Sequence, residues 1–163
     1  QGNIEFGLQC MKPAMRERRR IGGKCIEMVG LAGYEKAYQH ELSGGMRQRA
    51  ALARVLALDP PALLMDEPFS SLDANSRERL QDMLLGIWRS QRRTVVFVTH
   101  SVEEAAYLAD RVIVIGAPPD SVKREVIIDL PRPRLRTSAV LVNCIRDLRA
   151  SLDEMVCCLP PQQ

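Results

Sequence analysis

The chain has 163 residues, of which 46% are hydrophobic and 26% are charged, and its formal net charge at pH 7 is +3. This composition is ordinary for a globular domain with a hydrophobic core, and so small a net charge gives no argument for nucleic acid as a partner. No apolar run approaches the ~18 residues that a membrane-spanning helix requires, and the first residues do not resemble a signal peptide. We therefore expect any membrane association to come through a partner.

The cysteines form no CxxC pair, and their spacing fits no zinc site. Reduced thiols in a cytosolic protein are the simplest interpretation of the five residues Cys10, Cys25, Cys144, Cys157 and Cys158. The sequence begins with Gln1 rather than methionine, and we expect it to be a piece of a longer polypeptide.

The first 41 residues are predicted to be mostly helical and polar. From Met11 to Leu31, charged and apolar residues alternate at a loosely helical spacing, and Gly22 and Gly23 predict a break. The basic run Arg16–Arg20 is interpreted as a solvated helix face rather than a nucleic-acid patch.

A sharper pattern begins at Ser43, which occupies the position of a helix N-cap. Gly44 and Gly45 then open a predicted helix that continues through MRQRAALARVLAL and ends at residues 59–61, Asp-Pro-Pro. The continuous apolar run Ala62–Met65 predicts a parallel strand that is buried on both faces.

Helices and strands alternate over the next fifty residues. The segment Asn75–Ser90 predicts a helix, and the β-branched run Thr94–Thr99 predicts a second buried strand. A short helix is predicted at Val102–Ala109 and a third strand at Arg111–Gly116. The residues predicted to share one side of the first of these helices are Leu80, Leu84, Ile87 and Trp88. This alternation predicts an α/β domain with a parallel sheet and right-handed crossovers.

After Pro118 and Pro119 the order of elements changes. Val122–Leu130 is predicted as one more strand, in a hairpin with its predecessor. Pro131–Arg134 is predicted to be a rigid extended linker, and Thr137–Leu159 an amphipathic helix.

Two carboxylates and a histidine follow the predicted strands. Asp66 and Glu67 end the first strand and His100 ends the second, so we expect all three side chains to face one crevice beyond the strand ends. A carboxylate at this place can hold Mg²⁺ beside the β and γ phosphates of a nucleotide, which makes Asp66 a candidate metal ligand. Glu67 would then orient or deprotonate the attacking water, and His100 would hydrogen-bond the γ-phosphate.

The segment Ser43-Gly44-Gly45 is a second candidate phosphate site, because N–H groups at a helix start carry partial positive charge and glycine permits close approach. Each feature also has a purely structural interpretation as a cap, a polar strand end or a structural histidine. Glu103 and Glu104 are interpreted as first-turn acids that the helix dipole favours rather than as catalytic groups. The functional interpretation rests on the joint occurrence of these features, each at an element boundary.

Four ordered motifs resemble those of the ATP-binding cassette (ABC) ATPases. LSGGMRQR at 42–49 resembles their signature motif, and ALLMDEP at 62–68 their Walker B strand with its catalytic glutamate. SSLDA at 70–74 resembles the D-loop, and VTH at 98–100 the H-loop. The resemblance implies an α/β, P-loop NTPase cassette fold that is present in part, as a helical subdomain plus half of the parallel-sheet core.

Finer features resemble one branch of this family. The stretches NIEFGL, MDEPFSSLDA, THSVEEAAYLADRV and DLPRPR are similar to those of the ATP-binding subunits of nitrate, sulfonate, taurine and bicarbonate importers. Ser71, Ser101 and Gln39 differ from the residues common in that branch, and none of the three is a proposed catalytic residue.

The resemblance implies a role for each candidate residue, with ATP and Mg²⁺ as cofactors. Glu67 and His100 would be catalytic and Asp66 would bind the metal, all on ATP held by their own subunit. Two cassettes would pack head to tail, so the signature segment would contact ATP held by a second ATP-binding subunit, with the D-loop at the dimer contact. The residues implied to bind the nucleotide are Ser43, Gly44, Gly45, Gln48 and Asp73.

The family's phosphate-binding Walker A loop is not found in this sequence, and we expect it to precede Gln1. The segment Gly22–Cys25, GGKC, does not have the GxxxxGK[ST] spacing, because Arg18 stands where a glycine is needed and Cys25 where serine or threonine is needed. The family's Q-loop glutamine is also expected upstream, so Gln1 is not assigned that role.

The implied organisation has three parts: residues 1–58 as the rest of the helical subdomain with the signature helix, 59–130 as the carboxy-terminal half of the catalytic core, and 131–163 as a linker and helix. The implied partners are a second ATP-binding subunit, membrane permease subunits and, indirectly, a periplasmic or lipoprotein solute-binding protein, with no nucleic acid. The implied location is the cytoplasmic face of the cell membrane.

Two other functions stay open at this point. One is a soluble ABC-type ATPase that acts on nucleic acid or ribosomes, and the other is an inactive fragment that only docks to a partner. Under the importer interpretation we expect the 163-residue chain alone to bind ATP poorly, to hydrolyse almost none, and to expose a hydrophobic sheet edge that favours aggregation.

Overall fold

A computed structural model describes residues 1–11, 13–116 and 122–157 of the chain. The chain divides into two compact units, residues 1–98 and 99–163, and each is described by itself. Within the described residues, no helix is long and apolar enough to cross a membrane.

The first unit begins with two helices, α1 at Gly2–Met11 and α2 at Met15–Met28. The predicted break in α2 is wrong, because the helix runs through Gly22 and Gly23 without interruption. Gly22 is buried, and a Cβ there would come within 3.0 Å of the Glu5 Cγ of α1, so this glycine permits close packing of two helices. The GGKC segment is therefore helical and forms no phosphate loop. Residues 29–38 are turns rather than the predicted helix, and a short 3₁₀ helix follows at Gln39–Glu41.

The third helix, α3 at Gly44–Leu56, completes the helical part of this unit. It ends before Asp59, which has a left-handed φ of 51°, and before the two prolines. Arg93 closes this corner by donating to the Asp59 carboxylate and, at 2.7 Å, to the Pro60 carbonyl. The core that these helices share with the strand and helix after them consists of Ile4, Leu8, Cys25, Ile26, Val29, Leu31, Ala53, Leu56, Ala57, Leu63 and Ile87.

Strands β1 at Ala62–Asp66 and β2 at Thr94–Val98 pair in parallel, and α4 at Ala74–Gln91 connects them. Leu80, Leu84 and Ile87 of α4 are buried as predicted, whereas Trp88 is half-buried. The predictions that β1 is buried on both faces and that β2 is a buried strand are wrong. Leu64 is 79% exposed and Val96 is 50% exposed, because the described residues cover only the opposite face, where Leu63 is buried.

The second unit contains α5 at Val102–Leu108, β3 at Arg111–Ile115, β4 at Val122–Ile127 and α6 at Ala139–Cys157. The predicted hairpin is confirmed, since β3 and β4 pair antiparallel. Among the described residues, β3 forms this separate two-stranded sheet and is not hydrogen-bonded to the parallel pair, so its placement as a third parallel strand is wrong. The predicted helix end at Leu159 lies outside the described residues.

The PRPR segment is not the linker that its sequence predicts, because Arg134 is only 5% exposed. Its guanidinium donates to carbonyl oxygens at the end of α5 and after β4, namely those of Ala106, Tyr107, Ala109, Ile128 and Leu130. Burial lowers the pKa of Arg134 from its ordinary value, and the carbonyl oxygens compensate the buried charge. Arg134 thus joins the carboxyl end of α5 to the segment that follows β4.

The described cysteines agree with the interpretation as reduced thiols. Cys10, Cys25 and Cys144 are free, and burial raises the pKa of the Cys25 and Cys144 thiols. A raised pKa lowers the thiolate fraction of these two side chains. The side chain of Cys157 and the whole of Cys158 lie outside the description.

Candidate functional site

The amino end of α3 carries the signature-like segment, and the prediction of a Ser43 cap is confirmed. Ser43 has extended backbone, and its Oγ accepts a hydrogen bond from the Met46 N–H at 3.3 Å. Arg47 Nη1 reaches back to the Leu42 carbonyl at 2.7 Å. The first turn contains no acidic residue, so the partial positive charge of the helix end is not neutralised by its own side chains.

The two glycines of this segment are not required by the space around them. A Cβ at Gly44 would lie 4.0 Å from the Arg47 guanidinium, and one at Gly45 would lie 3.6 Å from the Ser76 side chain. Both distances are ordinary van der Waals contacts. The glycines therefore leave open backbone at a helix start, which is the arrangement that an approaching anion needs.

The amino end of α4 lies beside that of α3, because the Ser76 side chain would contact a Cβ at Gly45. Asp73 caps α4 by accepting from the Ser76 N–H at 3.0 Å, and Arg77 Nη2 donates to the Leu72 carbonyl at 3.0 Å. Hydrogen bonds from the Ser76 side chain and backbone hold the pKa of the Asp73 carboxyl below its ordinary value. The structure thus shows Asp73 as a helix cap, and its predicted place at a dimer contact stays a prediction.

The carboxyl end of β1 holds the two acids. Asp66 is the last residue of the strand and is exposed, and Glu67 follows it with a left-handed φ of 42°. This strained conformation is held on both sides, because the Glu67 N–H donates to the Val98 carbonyl at 2.9 Å and Ser70 donates to the Glu67 carbonyl. A non-glycine residue forced into the left-handed region is more common at functional sites than elsewhere.

Two predicted site residues line one cleft of about 210 Å³ in the first unit, Gln48 from α3 and Asp66 from β1. The rest of its lining is mostly apolar and includes Leu64 and Phe69. Another cleft, of about 430 Å³, lies between β4 and α6 in the second unit, and the described residues that line it include none of the predicted site residues.

His100 belongs to the second unit, in the segment between β2 and α5. Register pairs Asp66 with Val98, so the carboxyl ends of β1 and β2 lie side by side. The convergence of His100 with Asp66 and Glu67 stays a prediction. Sequence reasoning interpreted Glu104 as a first-turn acid and missed its hydrogen bond, at 2.6 Å, with the side chain of Thr99, the residue before His100. No local pattern in the sequence signals this bond.

No group of three or more His, Cys, Asp or Glu side chains within the described ranges is arranged to hold a metal ion. A lone exposed carboxylate such as Asp66 suits Mg²⁺, which keeps water ligands and binds through one or two carboxylates plus substrate phosphates. The donor set therefore fits a magnesium ion that arrives with a nucleotide.

Known proteins are similar to this chain in sequence and in fold. A family model described as ABC transporter matches residues 11–70. An uncharacterized ABC transporter ATP-binding protein of Methanocaldococcus jannaschii is 56% identical over 136 residues, which cover 83% of this chain and 51% of the relative. The aliphatic sulfonates import ATP-binding protein SsuB of Bacillus licheniformis is 46% identical, covering 85% of this chain and 53% of its own length. The nitrate import ATP-binding protein NrtD of Synechocystis is 44% identical, with 79% and 48% covered.

The chain spans about half the length of the curated relatives it matches. Among solved structures, cbiO1 of Clostridium perfringens, part of the ABC transporter complex cbiONQ, superposes with a TM-score of 0.63 at 26% identity, over 68% of this chain and 44% of that one. The predicted fold class, a P-loop NTPase cassette fold with a parallel sheet, is thereby confirmed. On its motifs, its fold and these relatives, the chain belongs to the ABC transporter family of ATP-binding proteins.

Proposed function

We propose that this chain contributes the signature helix, the Walker B strand and the H-loop histidine to the ATP-hydrolysing subunit of an ABC importer. The subunit couples hydrolysis of Mg²⁺-bound ATP to uptake of a small solute of the nitrate, sulfonate, taurine or bicarbonate type. The names of two relatives, one for sulfonate import and one for nitrate import, support this branch.

The observation that carries the proposal is the carboxyl end of β1. Asp66 and Glu67 are adjacent in sequence, and the left-handed backbone at Glu67 turns the chain sharply where the strand ends. We propose that the two adjacent carboxylates on this turn point in different directions and serve different partners. Asp66 would hold Mg²⁺, which when bound neutralises charge on the β and γ phosphates.

Glu67 is proposed to orient the attacking water and to accept its proton. Its backbone is fixed by the hydrogen bonds to Val98 and from Ser70, so the carboxylate starts from a constrained position. His100 is proposed to hydrogen-bond the γ-phosphate and to stabilise the charge that develops on its oxygens.

The amino end of α3 is proposed to act on the nucleotide of a second ATP-binding subunit in a head-to-tail dimer. Ser43, Gly44 and Gly45 offer an uncharged cap and open backbone, and Gln48 lies on the next turn of the same helix. Asp73 is proposed to lie at the contact between subunits. Under this proposal residues 1–58, 59–130 and 131–163 are respectively helical subdomain, half of the catalytic core, and carboxy-terminal linker and helix.

The proposed subunit docks to membrane permease subunits at the cytoplasmic face of the membrane, and the permease receives solute from a periplasmic or lipoprotein solute-binding protein. The exposed apolar face of β1 and β2, with Leu64 and Val96, agrees with a chain that is covered by further structure in the working protein.

The test is ATP turnover by the complete subunit assembled with its permease. Glu67→Gln removes the proposed base and keeps the shape, so turnover falls by about a hundredfold or more while ATP still binds. Glu78→Gln, on the exposed side of α4, is the matched control and keeps wild-type turnover. Wild-type turnover by the Glu67→Gln subunit, or stimulation by nucleic acid rather than by permease and solute, would overturn the proposal.

The 163-residue chain alone serves as a second control, because it is proposed to bind ATP poorly and to hydrolyse almost none. Measurable turnover by this chain would contradict the assignment of its residues to one half of a cassette. A complete subunit that binds its permease without any ATP turnover would instead identify an inactive docking protein.

A further inference from the structure

His100, the histidine of the H-loop, lies between Thr99 and Ser101, and the Thr99 side chain is hydrogen-bonded to the Ser101 backbone. Thr99 Oγ1 accepts a hydrogen bond from the Ser101 N–H at 3.0 Å, so it spans His100 from the residue before to the residue after. The same hydroxyl donates its proton to Glu104 Oε2 at 2.6 Å. Both lone-pair and proton capacities of the hydroxyl are thus used in holding the backbone around His100.

Glu104 is an unusual acceptor for this hydrogen bond, because it is a carboxylate residue that is only 6% exposed. A buried carboxylate is costly unless hydrogen bonds and nearby positive charge compensate it. The Thr99 hydroxyl supplies one such bond, and the first turn of α5 supplies partial positive charge. A first-turn acid that served only the helix dipole would not need to be buried. Glu103, the preceding residue, is exposed, pairs with Arg149 and accepts from the Ser101 hydroxyl at 3.0 Å.

The helix that carries Glu104 is fixed at both ends. At its amino end, the Ser101 Oγ accepts from the Glu104 N–H at 3.2 Å. At its carboxyl end, the buried Arg134 donates to the carbonyls of Ala106, Tyr107 and Ala109. The Thr99–Glu104 bond therefore connects the histidine segment to a rigid element, and threonine suits this role because its branched side chain has few χ1 states.

We propose that Thr99 and Glu104 are positioning residues for His100. They hold the backbone of residues 99–101 so that the imidazole of His100 is already oriented to hydrogen-bond the γ-phosphate when the nucleotide binds. Neither residue contacts the nucleotide in this scheme. The inference rests on the proposed function, because it assumes that His100 acts on ATP.

The main test is steady-state ATP hydrolysis by the complete subunit assembled with its permease. Thr99→Val keeps the branched shape and removes both hydrogen bonds, and its kcat is expected to fall roughly ten- to hundredfold with little change in KM. Thr99→Ser restores the hydroxyl and most of kcat. Glu125→Gln, at an exposed position of β4 in the same unit, is the control and keeps wild-type kcat.

A double-mutant comparison separates positioning from a general loss of fold. In a His100→Ala background, Thr99→Val should lower the residual kcat no further, because there is no imidazole left to position. The proposal is overturned if Thr99→Val lowers kcat by the same factor in both backgrounds, or if it raises KM and leaves kcat unchanged. Wild-type turnover by His100→Ala overturns the role of His100 in the proposed function itself, which is a distinct result.

If Thr99→Val is unstable, the ring signals of His100 provide a test that does not depend on ATP turnover. The chain has 2 histidines, so in ¹³C-labelled protein His40 is an internal reference for His100. Glu104→Met, which removes the acceptor, should broaden or shift the ring signals of His100 and leave those of His40 unchanged. Unchanged His100 signals in Glu104→Met overturn the positioning role, whether or not ATP is hydrolysed.

Discussion

The amino ends of α3 and α4 are built alike and differ in charge. Each has a capping side chain that accepts from the N–H three residues on, and each has an arginine that donates to the leucine carbonyl before the cap. The cap is the neutral Ser43 in α3 and the anionic Asp73 in α4, and two glycines follow the first cap whereas Ala74 and Asn75 follow the second. A carboxylate cap neutralises the partial positive charge of the helix start, so that end attracts a phosphate only weakly. A neutral cap followed by open backbone N–H groups leaves that charge available to a phosphate.

The largest effect is expected when the cap of α3 is given the charge of the cap of α4. Ser43→Asp keeps a good N-cap, so the stability of the chain is unchanged or slightly higher. Its carboxylate would occupy the position proposed for a phosphate, and ATP turnover of the assembled subunit should fall by about a hundredfold or more. Ser43→Asn is the matched neutral control and should lose far less. Equal turnover of the two variants would show that charge at this cap does not matter.

The glycine pair offers the next test. Gly45→Ala meets only ordinary contacts with Ser76, and alanine favours helix, so the free energy of unfolding should rise by up to about 0.5–1 kcal/mol. Turnover should nevertheless fall roughly tenfold, because the Cβ blocks close approach of the nucleotide. Ala74→Gly, the reverse change in α4, should only lower stability. A Gly45→Ala subunit that is both more stable and fully active would exclude the backbone contact.

The caps themselves can be removed in the 163-residue chain and compared by urea unfolding. Ser43→Ala should lower the free energy of unfolding by about 1 kcal/mol. Asp73→Ala should lower it more, because the helix loses a favourable charge as well as a hydrogen bond. The reverse order of the two losses would mean that the charge of Asp73 contributes nothing at the start of α4.

The smallest expected effect is a difference in pH dependence. The pKa of Asp73 is lowered in the folded chain, so its stabilising contribution is complete above the ordinary aspartate pKa and is lost as pH falls through the lowered one. Amide hydrogen exchange at Ser76, corrected for its intrinsic pH dependence, should therefore lose protection in acid. Met46, capped by a serine, should show no such change, and parallel behaviour of the two amides would contradict the comparison.

The parts of the fold that local chemistry determines were predictable from sequence. Ser43 as a cap, the ends of α3 and α4, and the β3–β4 hairpin all follow from capping residues, prolines and apolar spacing over a few residues. What depends on distant contacts was not predictable. The sequence around Gly22 predicts a helix break, whereas in the structure Glu5 of another helix packs against this glycine. The sequence around Arg134 predicts a linker, whereas in the structure its guanidinium donates to five carbonyl oxygens.

The candidate site likewise has features that local sequence predicts and features that depend on distant contacts. Asp66, Glu67 and His100 could be proposed as site residues because they follow apolar runs, and the motif resemblance implied their roles, which stay predictions. The left-handed backbone of Glu67 and the burial of Glu104 carry no local signal, since both result from hydrogen bonds whose partners are fixed only once the chain folds.

The setting of Arg134 has a practical consequence for work on this protein. Every carbonyl that its guanidinium holds comes from residues before Pro131, so residues 131–133 separate the donor from all of its acceptors along the chain. A protease nick or an inserted tag between Leu130 and Arg134 would separate them and release the end of α5. Fluorescent labels and affinity handles therefore belong beyond α6, and limited proteolysis at this segment should be accompanied by loosening of the helix that follows His100.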